Sequence, residues 1–413
     1  VQTLENLEMK KTLVAIAALA SVSAFAQSSV TIYGIADVAY ASKTHTAANG
    51  TVLSKTAGIG EGFNAGNRIG FKGTEDIGGG LSANFVIENG INITNGNLFS
   101  TRAAASGQQY DGSNAASGNM PAGAYSTSTN RQSYVGLKDA KMGEVRLGYQ
   151  YTALYTVSTL SGYHVGSEQP GGDLAHGTLD NANYGGTRAN GITYISPAFN
   201  GVTATVQYGA GSGRETAEFS TASSTSGKTV DNVKRTSLLL NYVNGPLNAS
   251  FAHTKVKFNN SAVTAQALGV ASNQFGLANT AVDAAVERDY DATLNQLGAS
   301  YQLGALKIVG TYADGKRTGT TDATKTTSSK AQQLGAEYAY GKARPFLTTG
   351  TAKTYNNTDA LAFDAKLTQF GVRYDFSKRT TGYIISGSTK DNFATTTTIA
   401  ERKATALGLM HSF

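Results

Sequence analysis

The sequence predicts an all-β protein, a 16-stranded antiparallel transmembrane β-barrel, on three observations. The chain opens with an export signal. Its last eleven residues, Lys403 to Phe413, form an alternating strand that ends on an aromatic carboxyl terminus, and between the two lie strand pairs joined alternately by short and long links. A soluble domain gains nothing by finishing mid-strand on Phe413, because an open terminal strand is an edge and edges invite aggregation. In a closed barrel the last strand pairs with the first, and the edge disappears.

The export signal comes first in chain order. Lys10 and Lys11 after Met9 form a charged n-region, Leu13 to Phe25 is a short apolar run, and Ala24-Phe25-Ala26 is an A-x-A cleavage site. The apolar run is shorter than the ~20 residues a spanning helix needs. Residues 9–26 are therefore expected to be a secretory signal peptide, residues 27–413 the barrel, and Val1 to Glu8 a gene-start artefact outside the fold.

Composition fits an exported barrel. No second long apolar segment exists, yet the chain carries 48 Gly, 21 Tyr and 16 Phe with no Cys; high Gly and Tyr at modest hydrophobicity is what alternating lipid-facing and water-facing residues give. Without cysteine no disulfide framework holds the fold, so backbone closure must. The net charge of +6 is spread without a Lys/Arg-rich run, which excludes nucleic acid as a partner. No fixed-period repeat supports a solenoid.

The strands follow in pairs. Strand 1 is read as Val30 to Tyr40, and short links at Thr74 to Gly80, Asp139 to Gly143, Pro197 to Gly201, Asn244 to Pro246, Gln302 to Ala305, Gly341 to Ala343 and Tyr374 to Lys378 each join two alternating segments. Seven hairpins with a first and a last strand make sixteen, a size at which barrels enclose water. The other connections are long and polar: Ser42 to Ala65, Asn89 to Asn130, Thr152 to Thr187, Ala210 to Val233, Lys257 to Asp291, Asp314 to Ser329, Tyr355 to Asp364 and Ser388 to Arg402. Long loops are expected outside and short turns in the periplasm.

Alternation is clean in some strands and broken in others. Leu81, Ala83, Phe85 and Ile87 oppose Ser82, Asn84 and Glu88, whereas Arg131 shares its face with Ser133 and Val135, and Thr236 to Val243 is apolar on both sides. Tyr33, Tyr40, Tyr149, Tyr151, Tyr194, Tyr208, Tyr301 and Tyr312 cluster near segment ends, where amphipathic rings suit a membrane interface.

Four ordered motifs carry a resemblance. Ser29-Val30-Thr31-Ile32-Tyr33-Gly34-Ile35-Ala36-Asp37, Asn67-Arg68-Ile69-Gly70-Phe71-Lys72-Gly73-Thr74-Glu75-Asp76-Ile77-Gly78-Gly79-Gly80-Leu81, Asn130-Arg131-Gln132-Ser133-Tyr134-Val135-Gly136-Leu137-Lys138 and Gly408-Leu409-Met410-His411-Ser412-Phe413 resemble the general trimeric porins of β-proteobacteria. The resemblance implies a homotrimeric passive diffusion pore of the Gram-negative outer membrane, with a third long loop folded inward as a constriction. Its implied partners are outer-membrane lipid and lipopolysaccharide, the barrel-assembly machinery, and small hydrophilic solutes and ions. It implies no cofactor.

The chemistry of such a pore is electrostatic: cations on the wall face acids on the inserted loop, and the field between them sorts solutes. By motif, the wall cations fall on Arg68, Arg131 and Arg188. Members usually read Gly-Arg-Gln-Tyr after strand 5, whereas this chain has Gly148-Tyr149-Gln150-Tyr151, so Arg146 and Lys72 are candidates to replace the missing cation. The constriction loop is placed at Thr152 to Thr187, with Glu168, Asp173 and Asp180 as candidates for the acidic wall, and Phe413 is the assembly signal. His164 and His176 share that loop without a recognised ligand spacing, so no metal site is assigned. Scattered histidines and the lack of a nucleophile motif exclude an enzyme. A substrate-specific channel and an adhesin or structural barrel are the alternative functions.

Overall fold

A computed structural model describes residues 29–94, 130–160, 188–210, 232–259, 290–319, 326–355, 358–391 and 399–413. The signal-peptide segment and Glu168, Asp173 and Asp180 lie outside the described residues. The strands are β1 (Ser29–Ala47), β2 (Val52–Glu61), β3 (Arg68–Gly78), β4 (Leu81–Gly90), β5 (Asn130–Asp139), β6 (Gly143–Tyr151), β7 (Arg188–Ile195), β8 (Val202–Ala210), β9 (Asn232–Asn244), β10 (Leu247–Asn259), β11 (Tyr290–Leu303), β12 (Leu306–Gly319), β13 (Thr326–Tyr338), β14 (Ala343–Tyr355), β15 (Leu361–Asp375), β16 (Thr380–Asp391) and β17 (Ile399–Ser412). A helix, α1 (Ala153–Leu160), follows β6.

Every ladder is antiparallel, and consecutive strands are neighbours from β3 to β17. β1 pairs on one edge with β17 and on the other with two strands: Ser29 to Ile35 face Thr74 to Arg68 of β3, and Val38 to Thr46 face Glu61 to Val52 of β2. β2 and β3 are thus two pieces of one barrel strand, parted by Gly62 to Asn67, and the closed barrel has sixteen strands. At the seam the Gly34 amide donates to the Phe413 carbonyl at 3.0 Å and the Phe413 amide returns to the Gly34 carbonyl at 3.1 Å. A side chain at position 34 would collide with the Phe413 ring, so glycine lets the terminal aromatic lie against β1.

The pleat sorts the residues. Val30, Ile32, Val135, Leu334, Phe370 and Leu407 point outward and are exposed, while Gln150, Thr193, Gln207, Thr254 and Gln296 are buried on the inner face. Apolar outside and polar inside is the inverse of a soluble barrel and the pattern of one that sits in lipid. The wall is uneven: β3 to β8 run from eight to eleven residues, β9 to β17 from twelve to fifteen. The Pro197 to Gly201 link ends on Asn200 and Gly201, with φ of 47° and 82°, the left-handed pair a tight hairpin link accommodates.

Three sequence expectations on the long-loop side are corrected. Strand 1 continues past Tyr40 to Ala47, Ser42 to Ala65 holds the end of β1 and all of β2, and Asp314 to Ser329 holds the ends of β12 and β13. Above the lipid both faces of a strand meet water, so the hydrophobic alternation stops while the ladder continues. The fourth difference is α1. Its Leu154 and Val157 pack with Leu239 of β9, Ala252 and Val256 of β10 and Leu294 of β11, all inner-face residues, and Gln296 of β11 donates to the Ser158 hydroxyl at 2.8 Å. The chain leaving β6 therefore turns inward and lays α1 on the inner face of β9 to β11, three to five strands along the wall.

Candidate functional site in the lumen

The inner wall of β3 to β7 carries a cluster built around Glu88, which is 4% exposed. Arg131 reaches it because of a bulge: Glu88 pairs with Gln132 and Asn89 with Asn130, so Arg131 stands between two ladder positions. A bulge re-aims its extra residue, which resolves the conflict of Arg131 sharing a face with lipid-facing Val135. Its Nε donates to Glu88 Oε1 at 2.6 Å and its Nη2 to the Tyr151 hydroxyl at 2.9 Å. Tyr151 donates onward to Glu88 Oε1 at 3.0 Å, and Tyr33 donates to Oε2 at 3.1 Å.

Arg68 and Arg188 join this group from either side. Arg68 Nε donates to the Gly66 carbonyl at 2.9 Å, and a Cβ on Gly66 would lie 3.4 Å from Arg131 Nη1 and 4.0 Å from Arg68 Nη2, so the two guanidinium heads converge there. Arg188 lies over the stacked rings of Tyr151 and Tyr155, its Cζ 5.1 and 5.9 Å from their centroids. Lys72 sits over Tyr33 at 5.3 Å. Such cation–π contacts hold a charge in place. Three guanidiniums and one ammonium thus share a single carboxylate among the described residues of the cluster.

Arg146 is elsewhere. Its Nε and Nη2 grip Glu144 at 2.6 and 3.0 Å, Asn84 donates to the same carboxylate at 3.0 Å, and the guanidinium stacks on Tyr134 at 4.8 Å. Opposite Gly136 and Asn84 in the ladder, it stands four residues along β4 from Glu88, about 13 Å away at the rise of a strand. Fork-to-fork pairing spends its charge on Glu144.

A second inner cluster, which sequence reasoning missed, lies on β13 to β15. Glu337 accepts from Arg344 Nη1 at 3.0 Å and Arg373 Nη1 at 2.7 Å, Arg344 Nε and Nη2 reach Asp375 at 2.7 and 2.9 Å, and Arg373 Nε donates to Asn64 at 2.7 Å. Two arginines balance two carboxylates here, whereas among the described residues the Glu88 cluster holds more cations than carboxylates. The missed partners Glu88, Glu144 and Tyr33 were legible in one respect: each lies on the wet face of a strand that also carries, or adjoins one carrying, a candidate cation.

A closed sixteen-stranded barrel, lipid-facing outside and lined by polar and charged groups, is a channel wall. The chain matches the Gram-negative porin family over residues 12–393. It belongs to that family. It is 31% identical to outer membrane porin protein 32 of Delftia acidovorans, covering 91% of this chain and 88% of that one, and 27% identical to an outer membrane porin of Bordetella pertussis, covering 97% and 98%. In fold it is similar to the anion-selective porin from Comamonas acidovorans, at a TM-score of 0.63 and 23% identity over 94% of this chain and all of that one, and to the trimer form of OmpT from Vibrio cholerae, at 0.57 and 14%. This porin is accordingly a multi-pass protein of the outer membrane and a channel, not an enzyme.

Proposed function

We propose that this porin is a general diffusion pore for small hydrophilic solutes and ions that prefers anions, and that Arg68, Arg131 and Arg188 set the preference. The observation that carries the reading is the charge balance around Glu88 among the described residues: Arg68 and Arg131 meeting at Gly66 and Lys72 over Tyr33, against the buried Glu88 carboxylate. Fixed cations in a narrow, low-dielectric lumen raise the local anion concentration, and guanidinium keeps its charge at every working pH. α1 begins the loop that narrows the lumen, and Glu168, Asp173 and Asp180 beyond it are the acids that would face the arginines. The anion-selective porin from Comamonas acidovorans supports the reading by its fold likeness. Arg146, neutralised by Glu144, is left out of the selectivity group.

The mature chain assembles as a homotrimer after removal of residues 9–26, delivered by the barrel-assembly machinery with Phe413 as its signal. The short wall of β3 to β8, with its outward Val135, Leu137 and Leu147, is the face a neighbouring copy covers. A heat-resistant band that collapses to one third of its mass on boiling is the expected result; a band that only changes shape would refute the trimer.

The deciding experiment is the zero-current potential of the purified porin in a planar bilayer under a KCl gradient. A chloride-selective potential that shrinks in Arg68→Ala supports the proposal, and a potassium-selective one overturns it. Conductance that saturates with one added sugar or organic acid would instead identify a substrate-specific channel, and no conductance a structural barrel or adhesin.

A further inference from the structure

The segment Gly62 to Asn67, which parts β2 from β3, folds into the lumen and lies between the two charged clusters. One side chain holds it. Asp37, on the inner face of β1 and fully buried, accepts the amides of Asn64 and Ala65 on Oδ2, each at 2.6 Å, and the Tyr383 hydroxyl on Oδ1 at 2.5 Å. Its backbone completes the clamp: the Asp37 carbonyl accepts from Gly62 at 3.1 Å, and its amide donates to Asn67 Oδ1 at 2.5 Å. Both ends and the middle of the segment are thereby tied to one residue.

The held segment acts in two directions. Toward β13 to β17, Phe63 is 1% exposed among Ala39, Ala41, Phe346, Tyr383, Ile385 and Ala406, and Asn64 reaches Arg373. Toward β3, the Gly66 carbonyl receives Arg68 Nε, and Gly66 is the point where the Arg68 and Arg131 heads meet. A Cβ at position 66 would stand in ordinary contact with both heads, so the segment lies directly against the two guanidiniums.

We infer that Asp37 is a positioning residue for Arg68: through the segment Gly62 to Asn67 it sets where the Arg68 guanidinium stands in the lumen and so tunes the anion preference. The inference rests on the anion-preferring reading above. An arginine side chain has many rotamers, and a field that sorts ions depends on the charge staying at one place in the cross-section. The carbonyl of Gly66 supplies the fixed point, and Asp37 fixes the carbonyl. Asp37 touches no passing ion itself.

The test is a double-mutant cycle read as the chloride-to-potassium permeability ratio in planar bilayers, with heat-modifiability verifying that each variant is a closed barrel. Asp37→Ala is expected to lower the ratio about threefold, the release of Arg68 outweighing the loss of one carboxylate, and Asp37→Ala with Arg68→Ala not to fall below Arg68→Ala alone, since residues acting through one another are non-additive. A purely structural role for Asp37 would instead give a ratio like the wild type, or two independent losses that combine in the double variant; either result overturns the inference. Phe63→Ala unseats the segment without altering β1 and is expected to show the same non-additivity, which keeps the test decisive if Asp37→Ala fails to close. No effect of Arg68→Ala would overturn the anion reading and this inference with it, whereas an effect of Arg68→Ala with none of Asp37→Ala and Phe63→Ala would overturn this inference alone.

Discussion

Glu88 shows how much a single side chain decides in this lumen. It is the carboxylate on which Arg131, Tyr33 and Tyr151 converge, so it both anchors the cluster and subtracts from its charge. Glu88→Gln keeps the shape and two acceptor lone pairs on one oxygen while removing the charge. The expected outcome is a chloride preference raised by about twofold in the zero-current potential, because the nearby cations then act against one opposing charge fewer; a lowered preference would mean the arginines scatter without their anchor. The wall arginines were legible from their motifs, but their geometry was not. Motif assigns Arg131 to the wall while alternation puts it on the face of Val135, because strict alternation has no place for a bulge, and Arg146 reads as a spare cation although Glu144, two residues away on the same strand face, is in view. Spacing of two in a strand is contact, and that signal was available.

At the scale of the element, α1 is what separates this barrel from an empty cylinder. Eight residues long, it is too short to be stable alone and holds its helical form through Leu154 and Val157 against β9 to β11. Each of those side chains gains ~1.5–3 kcal/mol on burial, and aspartate at both positions forfeits that and adds two unpaired charges on an apolar wall. Leu154→Asp with Val157→Asp is expected to release the helix and raise single-channel conductance, with the barrel still heat-modifiable; an unchanged conductance would place the narrowest point away from the inserted loop. Strand number and the turn side were readable because hairpins and alternation repeat through the chain. The helix was hidden because Ala153 to Leu160 is too short to establish a period, and β2 because Gly58 and Gly60 dilute its strand signal in a stretch where both faces are wet.

For the whole molecule, the seam governs. Residues at the two ends of the barrel meet where Gly34 and Phe413 exchange hydrogen bonds, and the ring of Phe413 fills the space a side chain on Gly34 would take. Gly34→Val is therefore expected to reduce the yield of heat-modifiable barrel by about tenfold while leaving expression of the unfolded chain unchanged, given that an open edge in lipid leaves several backbone groups unsatisfied at several kcal/mol each; wild-type yield would refute the seam as the critical closure. The same feature sets an order of events in time. The edge of β1 that faces β17 is satisfied late, since the two strands lie nearly the whole chain apart and a contact of that separation forms slowly. Without β17 one edge of β1 has no partner, so a chain cut just before it keeps an open rim.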